Sequence, residues 1–146
     1  MCELQKKLDA RQIRYFSARE LLLLPRDGRV AREPTDILYR IIPTVTIADS
    51  IRHGFGDRVR VVSGYRPEEY NNATRNASPV SEHVNFRALD LQPFDQSKME
   101  EFRKIAIAVV DQARRLGLNV ALIHYENFIH IDVGSKRRRN LDKDMR

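Results

Sequence analysis

Two short segments, far apart in the chain, carry residue types that suit one metal site. The first, Ser81 to Asp90, holds His83 and Asp90; the second, His124 to Asp132, holds His124, Glu126, His130 and Asp132. His83, Asp90 and His130 make a set of two imidazoles and a carboxylate. Three protein ligands with a fourth position left open is what a catalytic zinc ion requires, although His and Asp also suit other divalent ions. Taken one at a time, these residues have plainer readings. A single loop histidine is usually a surface residue, and a single strand aspartate often supports a neighbour or a turn. Cys2 is the one cysteine, so a disulfide within the chain and a multi-cysteine metal site are both excluded.

The pattern around these residues says how they would be positioned. Side chains alternate faces along a strand. In the segment 128–133, Ile129, Ile131 and Val133 point to a core, while Phe128, His130 and Asp132 point away from it. In the segment 88–92, Leu89 and Leu91 point one way and Ala88, Asp90 and Gln92 the other. If the two strands pair, Asp90 and His130 face a common cleft, and His83 reaches in from the loop before. A further strand is predicted over 58–63, and 119–123 forms a hairpin with 128–133 around Tyr125-Glu126-Asn127.

Three helices are predicted. Ser17 and Glu20 form a capping box ahead of Leu21 to Leu24, and Pro25 and Asp27-Gly28 stop that helix. A second starts near Pro34-Thr35-Asp36 and runs to Gly54, with a kink or a late start at Pro43. The third spans 97–116, capped by Ser97, ended by Gly117, and striped by Phe102, Ile105, Val109, Ala113 and Leu116. Residues 65–86 read as an irregular loop, of the sort that often carries function on a rigid scaffold. His53 is expected at a helix C-terminus, where a cationic ring suits the dipole. Helices followed by mixed strands and helix argue for an α+β fold, a small antiparallel sheet with helices packed on one face.

The chain has 146 residues and is 42% hydrophobic, enough for one core. The division expected is one domain over 1–134 and a basic tail over 135–146, with a monomer as the functional unit. No apolar run approaches the roughly 20 residues of a membrane span, so membrane insertion is not expected. The N-terminus is polar and lacks a secretory h-region. The formal net charge is +6, and residues 136–146, with six basic and two acidic residues, contribute +4 of it. That tail is read first as a solvated charge run, with attraction for an anionic polymer, nucleic acid or an acidic glycan, as the lesser alternative, and nucleic acid is not the partner expected. No aromatics interleave it, so a base-stacking surface is not suggested there.

An ordered set of motifs then stands out: Ser63-Gly64-Tyr65-Arg66-Pro67, Tyr70-Asn71, Ser81-x-His83, Arg87-Ala88-x-Asp90 and Phe128-x-His130-x-Asp132-x-Gly134. This set resembles the zinc D-alanyl-D-alanine carboxypeptidase family, which includes peptidoglycan endopeptidases and phage endolysins. Tyr15-Phe16-Ser17-x-x-Glu20 is similar to the N-terminal element of the family's small single-domain branch, so the resemblance covers about residues 14–134. It implies the fold shared with hedgehog-type domains, with one Zn2+ in a cleft held by His83, Asp90 and His130. It implies that Arg66 holds an anionic group or the attacked carbonyl of the substrate, a peptidoglycan stem peptide with D-alanine. A guanidinium fork suits that role. Ser81 and Tyr125 are weaker candidates for substrate contact, and loop hydrogen bonding is an equal alternative for each.

The chain departs from the family in three places. Phe86 stands where the family usually has Gly, and Ala121-Leu122-Ile123-His124 replaces a Gly-rich approach to the last hairpin. Most important, Asn127 stands where many members carry Glu or Asp, three residues before the last histidine ligand. An amide cannot accept a proton from water as a carboxylate does. The base is then another group, with Glu126 first, His124 second and Asp132 third, or the protein is weak or inactive. Asp132 alternatively orients a ligand histidine. Two functions follow: a zinc metallopeptidase acting on D-alanine amide bonds, or a catalytically impaired, zinc-stabilised module that binds cell wall or a protein. By resemblance to phage members, a chain made in the cytoplasm without a visible signal would act at the wall if released by a phage-type route or delivered from outside as a tail part; a missing true N-terminus is the remaining alternative.

Overall fold

The computed structural model of the chain describes residues 2–73 and 81–134. The basic tail, and residues 74–80 of the long loop, lie outside the described residues, and so does the proposed boundary at 134/135.

The fold is α+β. Its main sheet has four antiparallel strands, β3 (Val59–Ser63), β4 (Ala88–Pro93), β5 (Val120–His124) and β6 (Ile129–Val133), in the order β3-β4-β6-β5. Two helices, α3 (Ile41–Phe55) and α5 (Met99–Arg115), pack on the same face of this sheet. Leu89, Leu91, Leu122, Ile129 and Ile131 meet Ile41, Ile51, Phe102 and Val110 in one fully buried core. The opposite face is thereby left for polar chemistry.

Local sequence accounts for most of the elements. Ser17 caps α2 (Ala18–Leu22) with the reciprocal Glu20 contact of a capping box. After α2 the chain does not simply stop. It turns through Gly28, with φ +67°, into a hairpin of β1 (Leu23–Leu24) and β2 (Arg29–Val30). The second helix starts late. Residues 35–40 form a 3-10 helix, and Pro43 occupies the first turn of α3, where its missing N–H costs nothing. It also runs past Gly54 to Gly56, whose φ of +75° closes it. Gly54 instead allows close packing, since a Cβ there would lie 3.1 Å from Ile105 Cγ2 of α5.

Three expectations need correction. The buried face of α5 is Met99, Phe102, Ala106, Val110 and Ala113. That is rotated from the predicted stripe, so Leu116 is 76% exposed. Asp95, not Ser97, caps the entry to this helix, accepting the Ser97 N–H at 3.0 Å and the Ser97 hydroxyl at 2.6 Å. Residues 65–86 are not wholly irregular, because α4 (Glu68–Ala73) lies among them.

The polar N-terminus forms a further helix, α1 (Glu3–Ala10), which was not foreseen. Leu4 and Leu8, one turn apart, are fully buried in the main core. Glu33 accepts the N–H groups of Glu3 and Leu4 and satisfies two of the four donors a helix start leaves open. Leu8→Ala is therefore expected to cost about 2–5 kcal/mol of folding free energy, read as a lower urea midpoint with an unchanged slope. A loss under about 0.5 kcal/mol would show that α1 is not part of the core.

Candidate metal centre

On the face opposite α3 and α5 the strands bring the motif residues together. Asp90 is the direct cross-strand partner of His130, and Ala88 that of Asp132. A β-bulge between Val61 and Ser63 shifts the register of β3. Val62 is the extra residue, and Ser63 rather than Val62 comes to lie opposite Asp90. Bulges often re-aim side chains in this way beside functional sites.

His83 comes from the loop before β4, and four contacts hold that loop. Ser81 Oγ accepts the His83 backbone N–H at 3.2 Å. The Arg66 N–H donates to the His83 carbonyl at 3.1 Å. Thr44 on α3 donates its hydroxyl to the Arg87 carbonyl at 2.6 Å. Phe86, at φ +54°, turns the chain in the left-handed region, which explains the usual glycine there and costs a bulky residue roughly 1–3 kcal/mol. Its ring is fully buried, edge-on to Tyr65 at 5.4 Å, and that burial offsets the strain.

Gly64 connects this loop to the N-terminal elements. The Tyr65 N–H donates to the Leu21 carbonyl at 2.8 Å, and a Cβ on Gly64 would sit 2.3 Å from that same oxygen. Only glycine fits so close an approach. The Gly64 carbonyl in turn lies 2.8 Å from His83 Nδ1. It fixes Nδ1 as a donor and leaves Nε2 facing Asp90.

The two imidazoles then flank one carboxylate. His83 Nε2 lies 3.2 Å from Asp90 Oδ2, and His130 Nδ1 lies 2.9 Å from Asp90 Oδ1. The rings are 5.2 Å apart, edge to face. His130 turns its other nitrogen, Nε2, to Asp132 Oδ2 at 2.8 Å. Each histidine thus gives one nitrogen to the cleft and ties the other to an oxygen, as metal-binding histidines do. One ligand atom from each of His83, Asp90 and His130 lies within 4.8 Å of the other two. His83 and Asp90 are buried. Two imidazole nitrogens and a carboxylate oxygen facing one another fit a divalent ion well.

The electrostatics follow from burial against pairing. Burial alone would raise the Asp90 pKa, but the charges and hydrogen bonds of His83 and His130 hold it far below the usual carboxylate range. Burial would depress the His130 pKa, yet the hydrogen bonds to Asp132 and Asp90 push it up to about 9. Without metal, His130 is a cation at neutral pH, locked between two carboxylates.

The remaining candidates divide. Arg66 is in the cleft. Its Nε donates to Ser63 Oγ at 2.9 Å, and its terminal nitrogen lies 3.6 Å from Asp90 Oδ2. Burial lowers its pKa and Asp90 works against this, so the guanidinium stays charged. Tyr125 stacks on Phe128 at 4.7 Å. Burial raises the pKa of its hydroxyl, with Asp90 adding to this and Arg66 opposing it. Ser81 is engaged in the loop contact already described.

His124 does not reach the cleft. It pairs with Ile129, not His130, so strand parity places it on the helix face with Leu122 and Ile131. Both of its ring nitrogens are buried there. Glu126 sits exposed in the β5–β6 turn, and its backbone carbonyl accepts from Arg103 at 2.9 Å. Asp132 touches His130 rather than the cleft. Sequence reasoning missed Thr44 and the Gly64 carbonyl, neither of which has a side-chain signature for this role.

An α+β fold that gathers His83, Asp90 and His130, with Arg66 beside Asp90, fits a metal-dependent enzyme. The chain belongs to the peptidase M15 family, since the family model described as Peptidase M15 matches residues 14–132. No curated protein and no solved structure matches it. A peptide substrate is implied, and among the described residues no helix is long and apolar enough to cross a membrane.

The raised His130 pKa sets a pH dependence. An unfolded histidine titrates near 6.5. The stabilisation from His130 is therefore fully present below about pH 6.5 and is lost in the metal-free protein as pH rises through about 9. A metal must displace the Nδ1 proton. Metal affinity is expected to rise about tenfold per pH unit from 7 to 8.5, with about one proton released per ion, as calorimetry in two buffers would read. A flat profile over that range would contradict the assignment of His130 as a ligand.

Proposed function

We propose that the protein is a zinc-dependent peptidase that hydrolyses D-alanine-containing amide bonds of peptidoglycan stem peptides. The observation that carries this reading is the convergence of His83, Asp90 and His130 on one cleft in a chain of the peptidase M15 family. Those three residues would hold one Zn2+. When bound, the ion supplies Lewis-acid chemistry, activating water and polarising the carbonyl under attack.

The chain's own residues supply the rest. Arg66, fixed by Ser63, presents a charged fork beside Asp90 for a substrate carboxylate or the developing oxyanion. Tyr125, stacked on Phe128, lines the entrance. Asp132 keeps the His130 ring turned so that Nδ1 faces the cleft. Glu126, exposed in the β5–β6 turn, would serve as the general base. It makes no side-chain hydrogen bond or ion pair among the described residues and flanks Asn127, where many members of the family hold an acid. Release by a phage-type route is how a chain of this sort would reach the wall.

A second reading is favoured by Asn127 itself. With an amide at that position the protein would bind stem peptide, or a partner protein, with zinc as a structural element. One experiment separates the two. Zinc-reconstituted protein is incubated with a D-Ala-D-Ala pentapeptide and with whole peptidoglycan, beside His83→Ala and Glu126→Gln. The peptidase reading expects cleavage by the wild type, none by His83→Ala, and a kcat drop of about 10²–10⁴-fold in Glu126→Gln. Wild-type protein with zinc bound and no turnover on either substrate leaves the binding module. Full activity in Glu126→Gln removes that residue as the base.

A further inference from the structure

The sheet face opposite α3 and α5 continues past the metal centre, and its residues change character. Along β4, Asp90 and Gln92 lie on one face, two residues apart, and Phe94 follows directly after the strand ends at Pro93. Arg60 of β3 is the cross-strand partner of Gln92 and so shares that face, and Arg58, just before β3, lies by Phe94. Arg58, Arg60 and Phe94 are exposed, with Phe94 at 51%, while Val59 between the two arginines is buried.

These groups are organised rather than scattered. Arg60 Nε donates to Gln92 Oε1 at 3.0 Å, and a terminal nitrogen of the same guanidinium donates to the same oxygen. Gln92 Nε2 donates to the Asn127 carbonyl at 3.0 Å, which ties Arg60 to the turn that carries Tyr125 and Glu126. The Arg58 and Arg60 guanidiniums lie over the Phe94 ring, 4.9 and 5.5 Å from its centroid. Among the described residues neither guanidinium lies within ion-pair distance of a carboxylate. Two cations are therefore held in place by an amide and an aromatic ring; the neighbouring acid, Asp57, feels the Arg58 charge, but its carboxylate is bonded by Lys98 at 2.7 Å. Two guanidiniums fixed side by side offer donors and positive charge to an anion.

Resting on the peptidase reading, we propose that Arg58, Arg60, Gln92 and Phe94 form an outer subsite that selects substrates with a free carboxylate away from the bond cut. Two to four residues at about 3.3 Å each put this subsite roughly 7–13 Å from Asp90. An extended peptide lying along the face would span that distance with two to four residues. The occupant is an acidic peptide branch, and the subsite makes the protein prefer longer, acidic substrates to a bare dipeptide.

The test uses zinc-loaded full-length protein and two peptides that share one scissile bond. One peptide carries a free carboxylate two to four residues from that bond, and the other carries the amide. The comparison protein is Arg58→Gln/Arg60→Gln, a double change on exposed positions that should leave the fold intact. Wild type is expected to show a KM about tenfold lower for the acidic peptide, at similar kcat. The double variant is expected to lose that difference and keep its kcat on the amidated peptide, and rising salt should erase the wild-type preference. Equal KM values in the wild type, or a preference that survives in the double variant, would overturn the subsite. If neither peptide is cleaved, the peptidase reading fails, and the subsite is judged by fluorescence anisotropy of the same labelled peptides. Tighter binding of the acidic peptide by the wild type alone supports it, and equal binding overturns it.

Discussion

The structure is organised around one buried carboxylate. Asp90 sits in mid-strand on a surface it shares with two imidazoles, and taking a carboxylate out of water costs several kcal/mol unless it is paired. Both of its oxygens are used, one by His83 and one by His130, with Arg66 standing off at 3.6 Å. In the metal-free protein this cluster is a compensated charge network. The same atoms would serve as the ligands of a divalent ion. The site is preorganised because the charges need one another whether or not the ion is present.

Much of the rest of the chain serves to bring those groups to one place. The bulge in β3 sets Ser63 against Asp90, and Ser63 then positions Arg66. Gly64 lets α2 approach closely enough for the turn to offer its carbonyl to His83. Thr44 anchors the end of the ligand loop to α3. Asp49, also on α3 and buried, accepts the backbone N–H groups of Arg14 and Tyr15 and so fixes the entry to the N-terminal elements. The helices contribute no ligand, yet they determine where the ligands lie.

The centre was legible because strand parity and side-chain chemistry agreed. Alternation placed His130 and Asp132 away from Ile129 and Ile131, and the pairing of β4 with β6 then made Asp90 and His130 neighbours. His124 was misplaced because parity cannot be carried across a turn by counting; the register with Ile129 decides it. Helix α1 was missed because only Leu4 and Leu8 mark its buried side in a polar segment. The stripe of α5 was read one position off because Ile105 and Val109 border the face that Ala106 and Val110 occupy. Phe86 was visible as a departure from the family, but its cause lies in a backbone angle that composition does not reveal.

The central claim is that two histidines and an aspartate from separate segments bind one divalent ion. X-ray absorption on the zinc-loaded protein tests it most directly. The account predicts one zinc per chain, with two imidazole nitrogens at about 2.0–2.1 Å, carboxylate oxygen at about 2.0–2.2 Å and no sulfur, and loss of that signal in His130→Ala. A protein that takes up no stoichiometric metal, or one whose metal keeps the same shell after His130→Ala, would contradict it.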